Sequence, residues 1–496
     1  MKKYLIGIDI GTSGTKSVLF DTAGNAVASA TVEYPMRQPQ NGWAEEDPAD
    51  WWHAAAETLR ELAAKASDGE IAGIGLSGQM HSLVLLDAAG EVIRPAILWC
   101  DQRTGAECAD IEALVGHDRL IEITANPALT GFTASKILWV KKHEPENFAR
   151  CAHILLAKDY IRFKLTGAFA TEVSDASGMQ LLDVAKRAWS AEVCEKLGID
   201  MSLLAKVYES PEVTGYVTEE VSALTGLAAG IPVAGGGGDN ACAAIGTGVC
   251  REGRAFTTIG TSGVIFAHTP KMKLDPKGRI HTFCAAVPGE WHVMGVTQAA
   301  GLSLNWFRAN FAEGTSYRDI DAACEALPIG ADKLLNHTYL IGERTPELDA
   351  DARGMFVGLS AAHTKFHLAR AVMEGVTYSL CDCLSVLREV GADVSDMALC
   401  GGGAKSPFWH GMLADAFGMP IKKMKSGEGA ALGAAILGGV AAGVYESVAA
   451  GCDACVEADG SVQPDAARHA EYAKFYALYR QLYPALRDTM HAMAKM

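Results

Sequence analysis

Tyr4, Leu5, Ile6, Ile8 and Ile10 crowd residues 3–10 with apolar side chains, which predicts a buried strand. A second apolar run, Val18 to Phe20, follows a polar glycine-rich stretch, and the turn TAGN leads into AVASATVEY, a third strand. Asp47 and Pro48 then stand where an N-cap and a first helical residue belong. Trp51, Ala55, Leu59 and Leu62 follow at helical spacing, so a long amphipathic helix is expected. IAGIGLSG, ending at Gly78, has the near-continuous apolar character of a buried parallel strand, and HSLVLLD and AILWCD predict further strands. The first half reads β-β-β-α-β, followed by an insertion over about residues 80 to 230.

The second half repeats the plan. AFTTIGTSGVIFA, residues 255–267, alternates a strand, a glycine-rich tip and another strand. Leu368, Val372, Val376, Leu380, Leu384 and Leu387 form a helical stripe that runs through EVGADV into the strand MALCGGG. Ser406 and Pro407 open a helix that Gly418 closes, and the aromatic stripe of AEYAKFYALYRQLY predicts a packed C-terminal helix.

Composition narrows the class. A chain of 496 residues exceeds what one hydrophobic core organises, so two large domains are expected, at 1–246 and 247–496. The net charge of −16 argues against a nucleic-acid partner and means that an anionic ligand must be held by local groups. Asp9 cuts short the apolar run behind Lys2 and Lys3, so no secretory signal is expected there. The small-residue run at 429–444 is too short to span a bilayer and predicts a buried helix. Thirteen scattered cysteines without a secretory signal imply reduced thiols, a cytoplasmic protein and no membrane attachment. Cys452 and Cys455 form a single CxxC with no second pair or nearby histidine, so zinc and redox chemistry are not expected of them.

The stretch GTSGTK at 11–16 has the residue types of a phosphate loop but not the P-loop pattern. Thr15 separates Gly14 from Lys16, and the chain continues into a strand instead of a helix. A hairpin tip of this kind still offers backbone amides and hydroxyls to phosphate, with glycines free to take positive φ. Alone, GTSG reads equally as a plain turn. Its recurrence at Gly260–Gly263, one copy in each half of the chain, predicts a duplicated domain clasping a nucleotide. Thr12, Ser13 and Lys16 in one hairpin and Gly260 and Thr261 in the other would grip its phosphates. Lys16 also reads as a solvated strand lysine. Asp9, at the end of the first strand, is placed to hold Mg²⁺ directly or through water.

This arrangement resembles the actin-like ATPase superfamily, which implies an α/β fold of two ribonuclease-H-like domains with a cleft between them. GFTASKILWV (131–140), GMFVGLSAAHTKFHLARAVMEG (354–375) and SGEGAALGAAILG (426–438) resemble signatures of the FGGY carbohydrate kinases within it, and the likeness covers about residues 4 to 445. GQMH (78–81), RPAILWCDQR (94–103), KDY (158–160), GGGGDNACAAIG (235–246) and GERTP (342–346) look like the substrate-side motifs of the branch that acts on D-xylulose.

The resemblance implies ATP and Mg²⁺ as cofactors, a small sugar as substrate and a homodimer. It makes Asp239 the catalytic base that takes the proton of the sugar's terminal hydroxyl. Met80 and His81 become the specificity pair, with Asn240 beside the base and Trp99, Asp101 and Arg103 as second-line sugar contacts, though these three read equally as packing residues. Gly402 and Gly403 would let adenosine approach the backbone, though they also fit a tight strand-to-helix turn. Ribulose, gluconate and glycerol are the rival acceptors. A non-catalytic actin-like nucleotide switch is the rival from another class, and it needs no GGGGDN loop.

Overall fold

The structure, a computed structural model, describes residues 2–496. Strands β1 (Lys2–Ile10), β2 (Gly14–Asp21) and β3 (Ala26–Glu33) form an antiparallel meander, as the apolar runs predict. Helix α1 (Pro48–Lys65) follows, and the Asp47 carboxylate caps it by accepting the Ala49 N–H at 3.0 Å. Its inward face, including Trp51, Leu59 and Leu62, is fully buried. Strand β4 (Gly69–Gly78) returns parallel to β1.

The insertion contains helix α2 (Thr133–His143) and several two-stranded sheets. HSLVLLD and AILWCD contribute only the short strands Val84–Leu86 and Ala96–Ile97, which pair outside the main sheet. The chain rejoins that sheet through β5 (Val213–Tyr216), β6 (Pro232–Ala234) and β7 (Gly237–Gly238), then enters α3 (Asp239–Gly246). The strand order is β5-β6-β4-β1-β2-β3, with β7 added beside β4.

The second half builds β8 (Gly253–Ile259), β9 (Gly263–Thr269), β10 (His281–Cys284), β11 (Trp291–Thr297), helix α4 (Lys365–Glu389), β12 (Val394–Cys400), helix α5 (Pro407–Phe417) and β13 (Ile421–Met424). Helix α6 (Gly429–Ala441), β14 (Ala458–Val462) and helix α7 (Ala466–Ala494) complete it, and the sheet runs β10-β11-β9-β8-β12-β13-β14. Its centre copies the first sheet: β8 pairs antiparallel with β9 and parallel with β12, as β1 does with β2 and β4. The expected duplication is therefore present as topology.

Helix α6 follows the second sheet in sequence but packs on the first, against β1 and β4. Only glycine allows that approach: a Cβ on Gly75 would lie 1.7 Å from the Ala434 carbonyl oxygen, and one on Gly7 would lie 1.8 Å from that of Ala431. Among the described residues no helix is long and apolar enough to cross a membrane.

Candidate active site

Both GTSG stretches are hairpin tips, joining β1 to β2 and β8 to β9. They differ from expectation in one respect. None of Gly11, Gly14, Gly260 and Gly263 has positive φ. Glycine is required at two of them by space instead: a Cβ on Gly14 would meet the Val32 carbonyl oxygen at 2.8 Å, and one on Gly263 would meet Thr297 at 2.8 Å. Ser13, Gly260 and Thr261 are exposed and Thr12 is half-buried, so both tips stand open to solvent. The second tip is fixed from behind, where the Gly260 carbonyl accepts the Gly301 N–H at 2.7 Å and the Thr261 carbonyl accepts the Ala300 N–H at 3.0 Å.

Lys16 leaves β2 to pair with Glu428 at 2.6 Å, just ahead of α6. Its side chain stays 38% exposed, and the pair ties the first hairpin to the last FGGY-like motif. Asp9 ends β1 in register with Ser77 of β4, whose Oγ donates to Asp9 Oδ1 at 2.9 Å. Burial pushes the Asp9 carboxyl up and Glu428 adds to the rise, against the pull of Ser77 and Lys16. No cation pairs with Asp9 within 4 Å, and no group of three or more His, Cys, Asp or Glu side chains is arranged around a metal among the described residues. One such carboxylate fits a hard cation that keeps phosphate and water ligands, as Mg²⁺ does.

Gly237 and Gly238 pair with Ser77 and Gly78, so β7 delivers Asp239 to the same strand end. Asp239 opens α3 instead of lying in a loop. Its Oδ1 accepts the Asn240 backbone N–H at 2.7 Å and the Asn240 side-chain amide at 3.0 Å. Burial, helped by the like charge of Asp9, pushes the Asp239 carboxyl up to about 7.

Met80 packs under this turn, where a Cβ on Gly238 would meet its side chain at 2.7 Å. His81 takes a left-handed φ of 69°. Lys136 of α2, wholly buried, holds that conformation by donating to the His81 carbonyl at 3.0 Å, and Thr133 Oγ1 donates to the same oxygen at 3.1 Å. Nδ1 of His81 donates to the Gly178 carbonyl at 2.9 Å, which leaves Nε2 as an acceptor. Burial, with Lys136 nearby, pushes the imidazole down to about 3, so it is neutral.

Trp99 is half-exposed and its indole N–H donates to Thr12 Oγ1 at 3.0 Å, joining the sugar-side motif to the first hairpin. Asp101 and Arg103 do not line the site, contrary to expectation. Asp101 is fully buried and accepts the Ala44 N–H at 2.6 Å and Arg103 Nη2 at 2.7 Å. The Arg103 side chain, 1% exposed, lies 3.7 Å from the ring centre of Trp43 and 4.8 Å from that of Trp139. Arg103 also pairs with Glu45 at 2.8 Å, so the two residues form a packed support whose charges are met inside the fold.

Gly402 and Gly403 open a short turn after β12 and line a cavity of about 850 Å³ with Gly260, Gly301, Tyr317 and Asp321. Composition alone missed Ser77, Glu428 and Arg344. Only the last two fall in motifs recognisable along the chain.

Residues 4–246 match the FGGY family of carbohydrate kinases, N-terminal domain, and residues 255–442 match its C-terminal domain. The chain is 40% identical to the xylulose kinase of Bacillus subtilis (strain 168) over 493 residues, 99% of each protein. A xylulose kinase crystal structure from Rhodospirillum rubrum superposes with a TM-score of 0.93 at 32% identity, covering 98% of this chain and 100% of that one. A gluconate kinase from Lactobacillus acidophilus reaches 0.94 at 30% identity, covering 99% and 100%. The duplicated sheets are thus those of the actin-like ATPase fold, and this chain belongs to the FGGY family of carbohydrate kinases.

Proposed function

We propose that this enzyme transfers the γ-phosphoryl group of MgATP to the 5-hydroxyl of D-xylulose. One observation carries the reading: Asp239 stands at a shared strand end with Asp9, its carboxyl held near 7, with Asn240 bonded to it and Met80 packed against the glycine before it. The full-length likeness to xylulose kinases supports D-xylulose as the acceptor.

Phosphoryl transfer asks for alignment, charge neutralisation and one proton acceptor. Asp239 takes the proton of the attacking hydroxyl as its oxygen bonds to phosphorus, and a pKa near neutrality suits that exchange. The carboxylate does not drift, because both Asn240 donors fix Oδ1. His81 Nε2 accepts a sugar hydroxyl, and Met80 supplies the apolar wall. Thr12, Ser13, Gly260 and Thr261 offer amides and hydroxyls to the polyphosphate, while Lys16 adds its charge from the Glu428 pair. Asp9 would hold a magnesium ion, which would supply further neutralisation of the transferring group. Adenosine enters the cavity bounded by Gly402 and Gly403. Closure of the two halves on the sugar would exclude water from the transfer.

A panel of D-xylulose, D-ribulose, gluconate and glycerol, read by ADP release, tests this. D-xylulose is expected to give the highest kcat/KM. A higher value for any other acceptor refutes the assignment.

A further inference from the structure

The sugar side of the cleft has a second wall, supplied by the C-terminal half. His281 of β10 lies 5.7 Å, ring centre to ring centre, from Phe132, which precedes α2, and 5.7 Å from Phe283. Phe132 is in turn 4.9 Å from His81. Three aromatic rings drawn from both halves, Phe132, Phe283 and His281, therefore cluster about the His81 imidazole. Behind them stands Arg344, in the GERTP stretch.

Arg344 is positioned, yet it lacks an anion. Its backbone N–H donates to Glu343 Oε1 at 2.7 Å, and that buried carboxylate also accepts Thr297 Oγ1 at 2.7 Å and the Gln298 N–H at 2.9 Å. The loop is thereby fastened to the end of β11. The guanidinium, part-buried, has one side-chain partner among the described residues, His281 Nε2 at 3.3 Å, and no carboxylate within ion-pair distance. His281 can only accept there. Its Nδ1 lies 2.7 Å from Asn126 Oδ1, which takes the ring proton, and burial beside Arg344 keeps the ring neutral. One Nη group is thus directed by a neutral imidazole, and the rest of the fork is left to find acceptors elsewhere. Removing a guanidinium from water without a partner is unfavourable, so a ligand that supplies oxygen atoms is the natural complement.

Its place along the sugar follows from its neighbours. Asp9 and Asp239 share one strand end, which marks the reacting end, with Met80 against the glycine before Asp239. Arg344 is linked to the next residue, His81, through His281 and Phe132, so its guanidinium is assigned to the far end of the sugar.

We propose that Arg344 is a substrate-binding residue whose guanidinium donates to the oxygens at the non-reacting end of the acceptor, C1 and C2, and thereby favours a ketose over its C2-reduced polyol. The chemistry is complementary. A guanidinium only donates and a C2 carbonyl only accepts, whereas a C2 hydroxyl also brings a proton that needs an acceptor, which the guanidinium cannot offer. This rests on the D-xylulose reading of the cleft.

The test compares wild type, Arg344→Lys and Arg344→Gln with D-xylulose, xylitol and gluconate at saturating ATP. Thermal melting is recorded for each protein. The Gln variant is expected to lose ~10- to 100-fold in kcat/KM for D-xylulose, the worth of a charge-assisted hydrogen bond. Its KM for ATP should stay within about twofold of wild type, and its preference for D-xylulose over xylitol should shrink. The Lys variant keeps the charge but loses the fork, should show the same direction, and carries the test if the Gln variant does not fold. An unchanged sugar KM, or an equal loss with ketose and polyol, overturns the proposal. A wild type that prefers gluconate sinks the D-xylulose reading alone, because the variants then report on Arg344 through that acid.

Discussion

Asp9 and Asp239 reach one cleft from opposite sides of a single strand end: Asp9 is in register with Ser77, and Gly238, the residue before Asp239, is in register with Gly78. Burial raises the Asp239 carboxyl, and the charge of Asp9 adds to the rise. The proposed base and the proposed cation-binding acid thus share one piece of backbone.

Replacing Asp239 by Ala removes the proton acceptor and leaves both hairpins intact. Turnover with D-xylulose should fall by ~100- to 10,000-fold, the usual worth of a general base. Nucleotide binding, followed with a fluorescent ATP analogue, should persist. Wild-type kcat in this variant overturns the assignment.

The pH profile has a definite sign. The base works as the carboxylate, so kcat/KM should fall as pH drops through about 7 and level off above it. Asp9→Asn removes a repelling charge, which makes ionisation of Asp239 easier. On the residual activity of that variant, the acidic limb should move to lower pH. A limb that stays in place, or moves up, contradicts the coupling.

Lys136 braces the backbone of His81, the proposed sugar contact. Its ammonium, pushed down to about 7 by burial, donates to the carbonyls of His81 and Gly131. Lys136→Met leaves two carbonyls without that donor and should cost about 1–3 kcal/mol of stability, measured by denaturant unfolding. Sugar KM should rise more than ATP KM, since His81 loses its brace.

Gly75→Ala tests the packing of α6 on the first sheet. The added Cβ would fall 1.7 Å from the Ala434 carbonyl oxygen, a backbone atom that cannot swing aside. A loss of at least about 1–3 kcal/mol is expected from such overpacking, read as a lower unfolding midpoint. An unchanged midpoint would mean that α6 sits elsewhere.

Much of this was legible along the chain. The two GTSG tips, the Asp47 and Ser406 caps and the parallel β4 follow from local rules, because hairpins and caps are built from neighbours. Asp101 and Arg103 were legible as sugar contacts or as packing, and the structure packs them, because a motif states residue type and not exposure: Arg103 pairs with Asp101 and Glu45 inside a tryptophan clasp. The Lys16–Glu428 pair joins residues 412 apart, a separation no periodicity reports. The glycine tips were expected for their φ and proved to need their missing Cβ, a matter of which strand passes beside them.

Helix α6 has an implication for how the protein can be divided. The second half lends this helix to the first, where it roofs a glycine floor and carries the partner of Lys16. A fragment stopped at residue 246 would keep its own sheet but expose that floor to water. The two lobes are therefore interleaved, and neither is a module that can be excised whole.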